Sequence, residues 1–144
     1  MRKGGFFAAA GVAVLSFIKE RKDTFYLKQR EDLAGIVSEL NDFCASHSIP
    51  AHAVSSDDRF YVYFRDISEG PVLRADDVDQ RMDYFIRNEF DLHLRARGVL
   101  EGHGFLWNHA LTPEDIAKTV GAIKESLLEV STTLEELGDG REIK

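Results

Sequence analysis

The side chains able to do chemistry are few and scattered in this 144-residue chain. Five histidines raise the question of a metal centre. His103 and His109 lie six residues apart; on a straight strand that spacing puts them on one face but about 20 Å from each other, too far to share one ion. No cysteine pair and no His-Glu helical motif supports them, so no metal site is expected. Cys44, the one cysteine, falls among helical residues with no identifiable base and cannot form an intrachain disulfide. A buried structural thiol is the expectation there, and no Gly-X-Ser-X-Gly elbow supplies another nucleophile. Gly102, His103 and Gly104 would let backbone amides approach a phosphate or carboxylate, although a simple strand bend uses the same glycines. Arg59 and Arg65 flank an aromatic strand and have the fork that matches a carboxylate, but a solvated strand edge carries such residues without function. Arg95 and Arg97 stand where cations complement the end of a helix, which accounts for them structurally.

The elements that must position these residues are legible from period and punctuation. Apolar residues run almost all round a helix from about Phe7 to Arg21, through Ala8, Ala9, Ala10, Val12, Ala13, Val14, Leu15, Phe17 and Ile18. Such a helix needs partners on several faces, more than a chain of this length has left to give. A second helix is expected from about Asp23 to Ser46, with Leu27, Leu33, Ile36, Val37, Leu40 and Phe43 at helical spacing. It ends near Pro50, which cannot continue it. The period then changes to that of strands: Ala51–Val54, a polar turn over Ser55–Asp58, and Arg59–Arg65, an antiparallel pair. A loop containing Glu69, Gly70 and Pro71 leads to a third helix over about Val78–Arg97, with Met82, Phe85, Ile86, Phe90, Leu92 and Leu94 as core candidates and Gly98 as its left-handed terminator.

From Gly98 the chain reads as a strand that hands over to a capped helix. Thr112 is placed to cap it, Pro113 occupies the first position, and Glu114 and Asp115 face the positive end of the dipole. Ile116, Val120, Ile123, Leu127 and Val130 make its apolar stripe. After Val130 the polar stretch Ser131–Lys144 is expected to fray. The result is an α+β fold, a small antiparallel three-stranded sheet with about four helices packed on it.

Composition narrows the function classes. The length suits one domain that buries roughly two-thirds of its unfolded surface. A formal charge of −7, with no long block of cations, argues against nucleic acid as a partner. Met1, Arg2 and Lys3 before the apolar run Phe6–Ile18 have the outline of a secretory signal. That run is shorter than the about 20 residues of a membrane span, lacks a small-residue cleavage site and meets Lys19–Lys22 directly. The expectation is no membrane association and a reducing, cytoplasmic setting.

Read as a whole, the chain resembles the carboxyl-terminal small domain of the class III aminotransferases, fold type I pyridoxal phosphate enzymes, and among them the glutamate-1-semialdehyde aminomutase group. The Ala8–Arg21 helix is similar to the alanine-rich helix leaving the large domain, and Leu27–His47 to the long helix after it. Phe60–Phe64 and then Gly70, Pro71, Val72 resemble the aromatic strand and its "GPV" loop; Arg97, Gly98, Val99 resemble the "RGV" opening the last strand. Glu114, Asp115, Ile116 resemble the "EDI" that begins the last helix, and Glu101, Gly102 an "EG" seen in the branch embedded in peptide and polyketide assembly lines. The order and spacing of these motifs, rather than any one of them, carry the resemblance. Leu111 stands where a histidine is usual, and Gly4–Phe7 run straight into Ala8 without the usual Asn-Pro.

The resemblance implies residues 1–22 as a linking helix from a large domain, 23–130 as the small domain and 131–144 as a polar tail. It implies a parent enzyme that moves an amino group on an amino-acid or keto-acid substrate with pyridoxal phosphate, as a homodimer. The strand-borne Schiff-base lysine, the acid for the pyridinium nitrogen and the phosphate cup belong to the large domain, and Lys3 replaces none of them. The chain alone is therefore expected not to transaminate and not to hold the cofactor covalently. By position on the last strand, Glu101 and His103 are the residues expected to approach substrate in the parent; no catalytic residue is assigned here. The alternative is a stand-alone dimeric binding or scaffold module whose first helix is covered by a partner.

Overall fold

Periodicity in the first third of the chain produces a helix far longer than either of the two expected there. The computed structural model describes residues 4–56, 58–64, 80–102, 104–108 and 110–138. In it α1 runs unbroken over Gly4–Ser46, 43 residues and about 65 Å at 1.5 Å per residue. The expected break between Arg21 and Asp23 is absent because nothing in Lys22-Asp23-Thr24 interrupts a helix: there is no proline or glycine, and Thr24 Oγ1 turns back to donate to the Arg21 carbonyl at 3.1 Å. The two halves of α1 differ instead in what covers them. Gln29, Leu33, Ile36, Leu40 and Cys44, at intervals of three and four, form a dry stripe. Residues 7–17 are exposed throughout, with Phe7 at 75% and Leu15 at 69%. Leu27, expected in the core, lies among the exposed residues because, two positions before Gln29, it stands about 200° round the helix from the dry stripe.

The end of α1 is set by backbone chemistry. Ile49 N–H donates to the Cys44 carbonyl at 2.9 Å and Ser48 N–H to that of Ala45 at 3.3 Å, while Ser48 adopts φ +55°. These are the two bonds of a Schellman termination, and buried Ile49 supplies the hydrophobic contact that accompanies it. The same device ends α2, Gln80–Ala96. There Val99 N–H reaches the Leu94 carbonyl and Gly98 N–H that of Arg95, with Gly98 at φ +75° as expected.

Between the helices lies a three-stranded antiparallel sheet in the order β1-β2-β3, with β1 over Ala51–Ser56, β2 over Arg59–Phe64 and β3 over Phe105–Leu106. The polar turn is shorter than expected, since β1 continues through Ser56 to pair with Arg59. The last strand is also shorter, because Gly102 and Gly104 bend the chain before Phe105. Along the hairpin Ala51, Ala53, Phe60, Val62 and Phe64 face the core, the two-residue period of strands.

Closing this layer is α3, Pro113–Gly138. Its start is a reciprocal cap: Asp115 N–H donates to Thr112 Oγ1 at 3.1 Å, and Thr112 N–H to Asp115 Oδ2 at 2.9 Å. Val120, Ile123, Leu127 and Val130 are buried and Ile116 packs on the edge of the core. The helix persists to Gly138, beyond the expected limit at Val130, so the first part of the expected tail is helical. Ile86, Phe90 and Leu94 of α2 complete the core, whereas Phe85 and Leu92, also expected there, are exposed on its other face. The chain is thus an α+β fold in which the first two expected helices join into one. The Glu69–Pro71 loop, Val72, Arg65, Met82's side chain and residues 139–144 lie outside the described residues.

Candidate functional site

The segment from Val99 to Leu111, which connects α2 to α3, is held by three separate attachments. The first is at Glu101. Its carboxylate pairs with Arg87 of α2, Oε1 to Nη2 at 2.5 Å, and its side chain is only 5% exposed. Burial pushes this carboxyl above its ordinary value; Arg87 pulls the other way, nearby Asp91 adds to the rise, and the Gly104 backbone N–H offsets part of it. Asp91 in turn pairs through Oδ2 with Arg95 one turn on, while its Oδ1 is buried without a hydrogen bond. Arg87, Asp91 and Arg95 form an alternating charge stripe at intervals of four on α2.

The second attachment is Gly104, at φ +96°. A Cβ built there would lie 2.8 Å from the Tyr61 ring and 3.1 Å from the Phe60 carbonyl, so only glycine lets the segment lie this close on β2. The third is Trp107. Its backbone N–H donates to the Asp58 carbonyl at 2.8 Å, and its indole N–H to Asp32 Oδ2 of α1 at 3.0 Å. Between these points Phe105 stacks on Phe60 with ring centroids 4.7 Å apart.

Together these attachments leave a cavity of about 420 Å³ beneath the segment. Ile36 of α1, Phe60 of β2, and Ile116 and Val120 of α3 wall it on one side, and Val99, Leu100, Gly102 and Gly104–Trp107 contribute the other. Glu101 is not among the residues facing the cavity; its carboxylate is committed to Arg87 and Gly104. His103 and His109 lie outside the described residues.

The remaining candidates have structural work. Arg59 pairs with Asp58, which holds the Asp58 carboxyl below its usual range. Arg97 donates to Glu125 and Glu129 of α3 and to the His93 carbonyl, tying the two helices together; His93 Nδ1 meets the other oxygen of Glu129. Cys44 is buried, and burial pushes its thiol up to about 11, the state of an inert thiol. Among the described residues no group of histidine, cysteine and carboxylate side chains is arranged to hold a metal ion. No described helix is long and apolar enough to cross a membrane.

Three positioning residues escaped the sequence reading. Arg87 was detectable only as part of the charge stripe on α2. Asp32 carries no signal of its 75-residue reach to Trp107. Asn41 pairs through both ends of its amide with the Ala53 backbone, 3.0 Å to the carbonyl and 2.7 Å from the N–H, and so occupies part of the free edge of β1.

The described residues do not fit pyridoxal phosphate. Among the described residues no charged side chain faces the cavity to meet a phosphate or a pyridinium nitrogen. Of the described lysines, Lys28 is paired with Asp32 and Lys124 with Glu39. Neither protein-family models nor curated proteins give a match to this chain.

Proposed function

We propose that this chain is the small domain of a pyridoxal phosphate-dependent class III aminotransferase or aminomutase, and that its catalytic chemistry resides in a large domain joined through α1. The observation that carries the reading is the asymmetry of α1: one half packs on a small α+β core, and the other presents Phe7, Val12, Val14, Leu15 and Phe17 to solvent. Large apolar side chains exposed round most of a helix mark a contact with another body of protein. The motif order from the aromatic strand to the capped last helix supports the same reading. In this account the parent acts in the cytoplasm on an amino-acid or keto-acid substrate, as a homodimer, and the small domain closes over cofactor and substrate. The chain alone supplies no Schiff-base lysine and does not transaminate.

Mixing the purified chain with pyridoxal phosphate tests the division of labour. The absorbance spectrum should show no imine band that borohydride removes. A reducible band that maps to one lysine of this chain would place cofactor capture here and overturn the reading.

A further inference from the structure

The large side chains in the exposed half of α1 are not spread evenly round the helix. At 100° per residue, Phe7, Gly11, Val14, Leu15 and Ile18 all fall within about 60° of the line through Gln29 that the dry stripe follows. The seam that packs on the core from Gln29 to Cys44 therefore continues toward the amino end, but exposed: Phe7 is 75% accessible, Val14 57% and Leu15 69%. On the opposite side stand Ala9, Ala13, Glu20 and Thr24, small or polar. Gly11 occupies the middle of the exposed seam, in a helix interior where glycine is unfavourable. A Cβ built there meets nothing within 4 Å, so a second backbone has room to come close.

We propose that this face pairs with the same face of a second copy of the chain, the two α1 helices running antiparallel and crossing near Gly11. Two observations set the direction. Each domain sits on the seam side of its own α1, from Gln29 onward. A parallel pair would drive the two domains into each other, whereas an antiparallel pair leaves them at opposite ends. Lys19, Arg21 and Lys22 follow the seam directly, with Glu20 between them. Parallel helices would bring these cations together; antiparallel helices hold the two Lys22 positions about 28 Å apart, well beyond the screening length of about 8 Å. The overlap of about 20 residues is about 30 Å long and buries on the order of 1,200 Å² between the two chains, the lower end of specific interfaces. Val12 and Phe17 lie off the seam and stay free for a large domain. The pairing does not rest on the parent enzyme proposed above, and its failure leaves that parent's mass and cofactor lysine untouched.

Sedimentation equilibrium of the full chain, from about 1 to about 100 µM, tests the pairing. The mass should rise from 16.3 kDa toward twice that value across this range. Val14→Glu and Ile18→Glu put a charge into the seam and should weaken self-association at least about tenfold; Ala13→Glu, on the opposite side, should leave it unchanged. None of the three positions belongs to the buried core, so the emission of Trp107, the only tryptophan, reports that each variant stays folded. Copies carrying Lys22→Cys should not form a disulfide with each other under mild oxidation, because a bridge spans no more than about 7 Å between Cα atoms. A mass of 16.3 kDa at every concentration would overturn the proposal. So would dimers that survive both seam variants, an equal loss with Ala13→Glu, or rapid cross-linking through Lys22→Cys. A monomer that sediments with phosphatidylcholine–phosphatidylglycerol vesicles would assign the face to lipid and overturn it too.

Discussion

Gly104 and Glu101 show how much of this site rests on single residues. At Gly104 both backbone and space exclude a side chain, because φ is +96° and a Cβ would meet the Tyr61 ring at 2.8 Å. Gly104→Ala should therefore cost about 2 kcal/mol or more, from the left-handed backbone and the displaced ring together. Urea unfolding would show a lower midpoint with an unchanged slope; an unchanged midpoint would mean that the segment does not lie on β2 as described.

Glu101 makes a prediction about pH. Its carboxyl is raised in the folded chain, so the folded state holds the proton more tightly than the unfolded chain, where the group titrates near 4.5. Ionised Glu101 thus subtracts stability at neutral pH, and the deficit disappears as pH falls through the folded value toward the ordinary one. Asp58, Asp115 and Glu129 are lowered by their partners and act in the opposite sense, losing their contribution as pH falls through their folded values. Comparison with Glu101→Gln cancels those three. The stability difference, native chain minus variant, should move in favour of the native chain between about pH 7 and about pH 4. A difference that moves the other way would contradict the burial described for this carboxylate.

At the scale of elements, what was legible in the sequence was what local chemistry decides. Thr112, Pro113 and Asp115 announce the start of α3 because a cap needs only neighbours, and the stripe from Val120 to Val130 follows from the helical period. The strand character of β2 was readable for the same reason, from its run of aromatic and β-branched residues. Less legible was anything set by a distant partner. Leu27 and Leu92 are apolar, but each stands two positions from a buried residue, Gln29 and Phe90, and so on the far side of its helix; which side is covered is decided by the elements packed there, and both are exposed. The single helix α1 was missed because its apolar character changes near residue 22 while its backbone does not. Glu101 was recognised as a residue of interest, yet its inward ion pair with Arg87, fourteen positions upstream, leaves no trace in local pattern.

Asn41 belongs to this group and offers a test at the same scale. Its amide makes two hydrogen bonds to the Ala53 backbone at the edge of the sheet. Asn41→Leu keeps the branched shape, removes both bonds and leaves that edge open to pairing with another chain. The expected loss is about 1–3 kcal/mol for the newly unsatisfied backbone groups. Light scattering should show a concentration-dependent rise in mass for the variant. If the variant matches the native chain in both measurements, the edge is protected by something other than Asn41.

At the scale of the whole molecule, the dry stripe of α1 from Gln29 to Cys44 and the exposed stretch from Phe7 to Phe17 set the question of what lies beyond this domain. Surface burial contributes on the order of 25 cal/mol per Å², so leaving several large apolar side chains in water forgoes several kcal/mol that a covering body would recover. In the function proposed here that body is a large domain carrying the cofactor lysine. The most direct measurement is the intact mass of the natural protein isolated from its source cells, with borohydride-labelled peptides mapped on the same sample. The expected result is a mass well above 16.3 kDa and a phosphopyridoxyl lysine in a peptide outside these 144 residues. A natural protein of 16.3 kDa with no such label would contradict it.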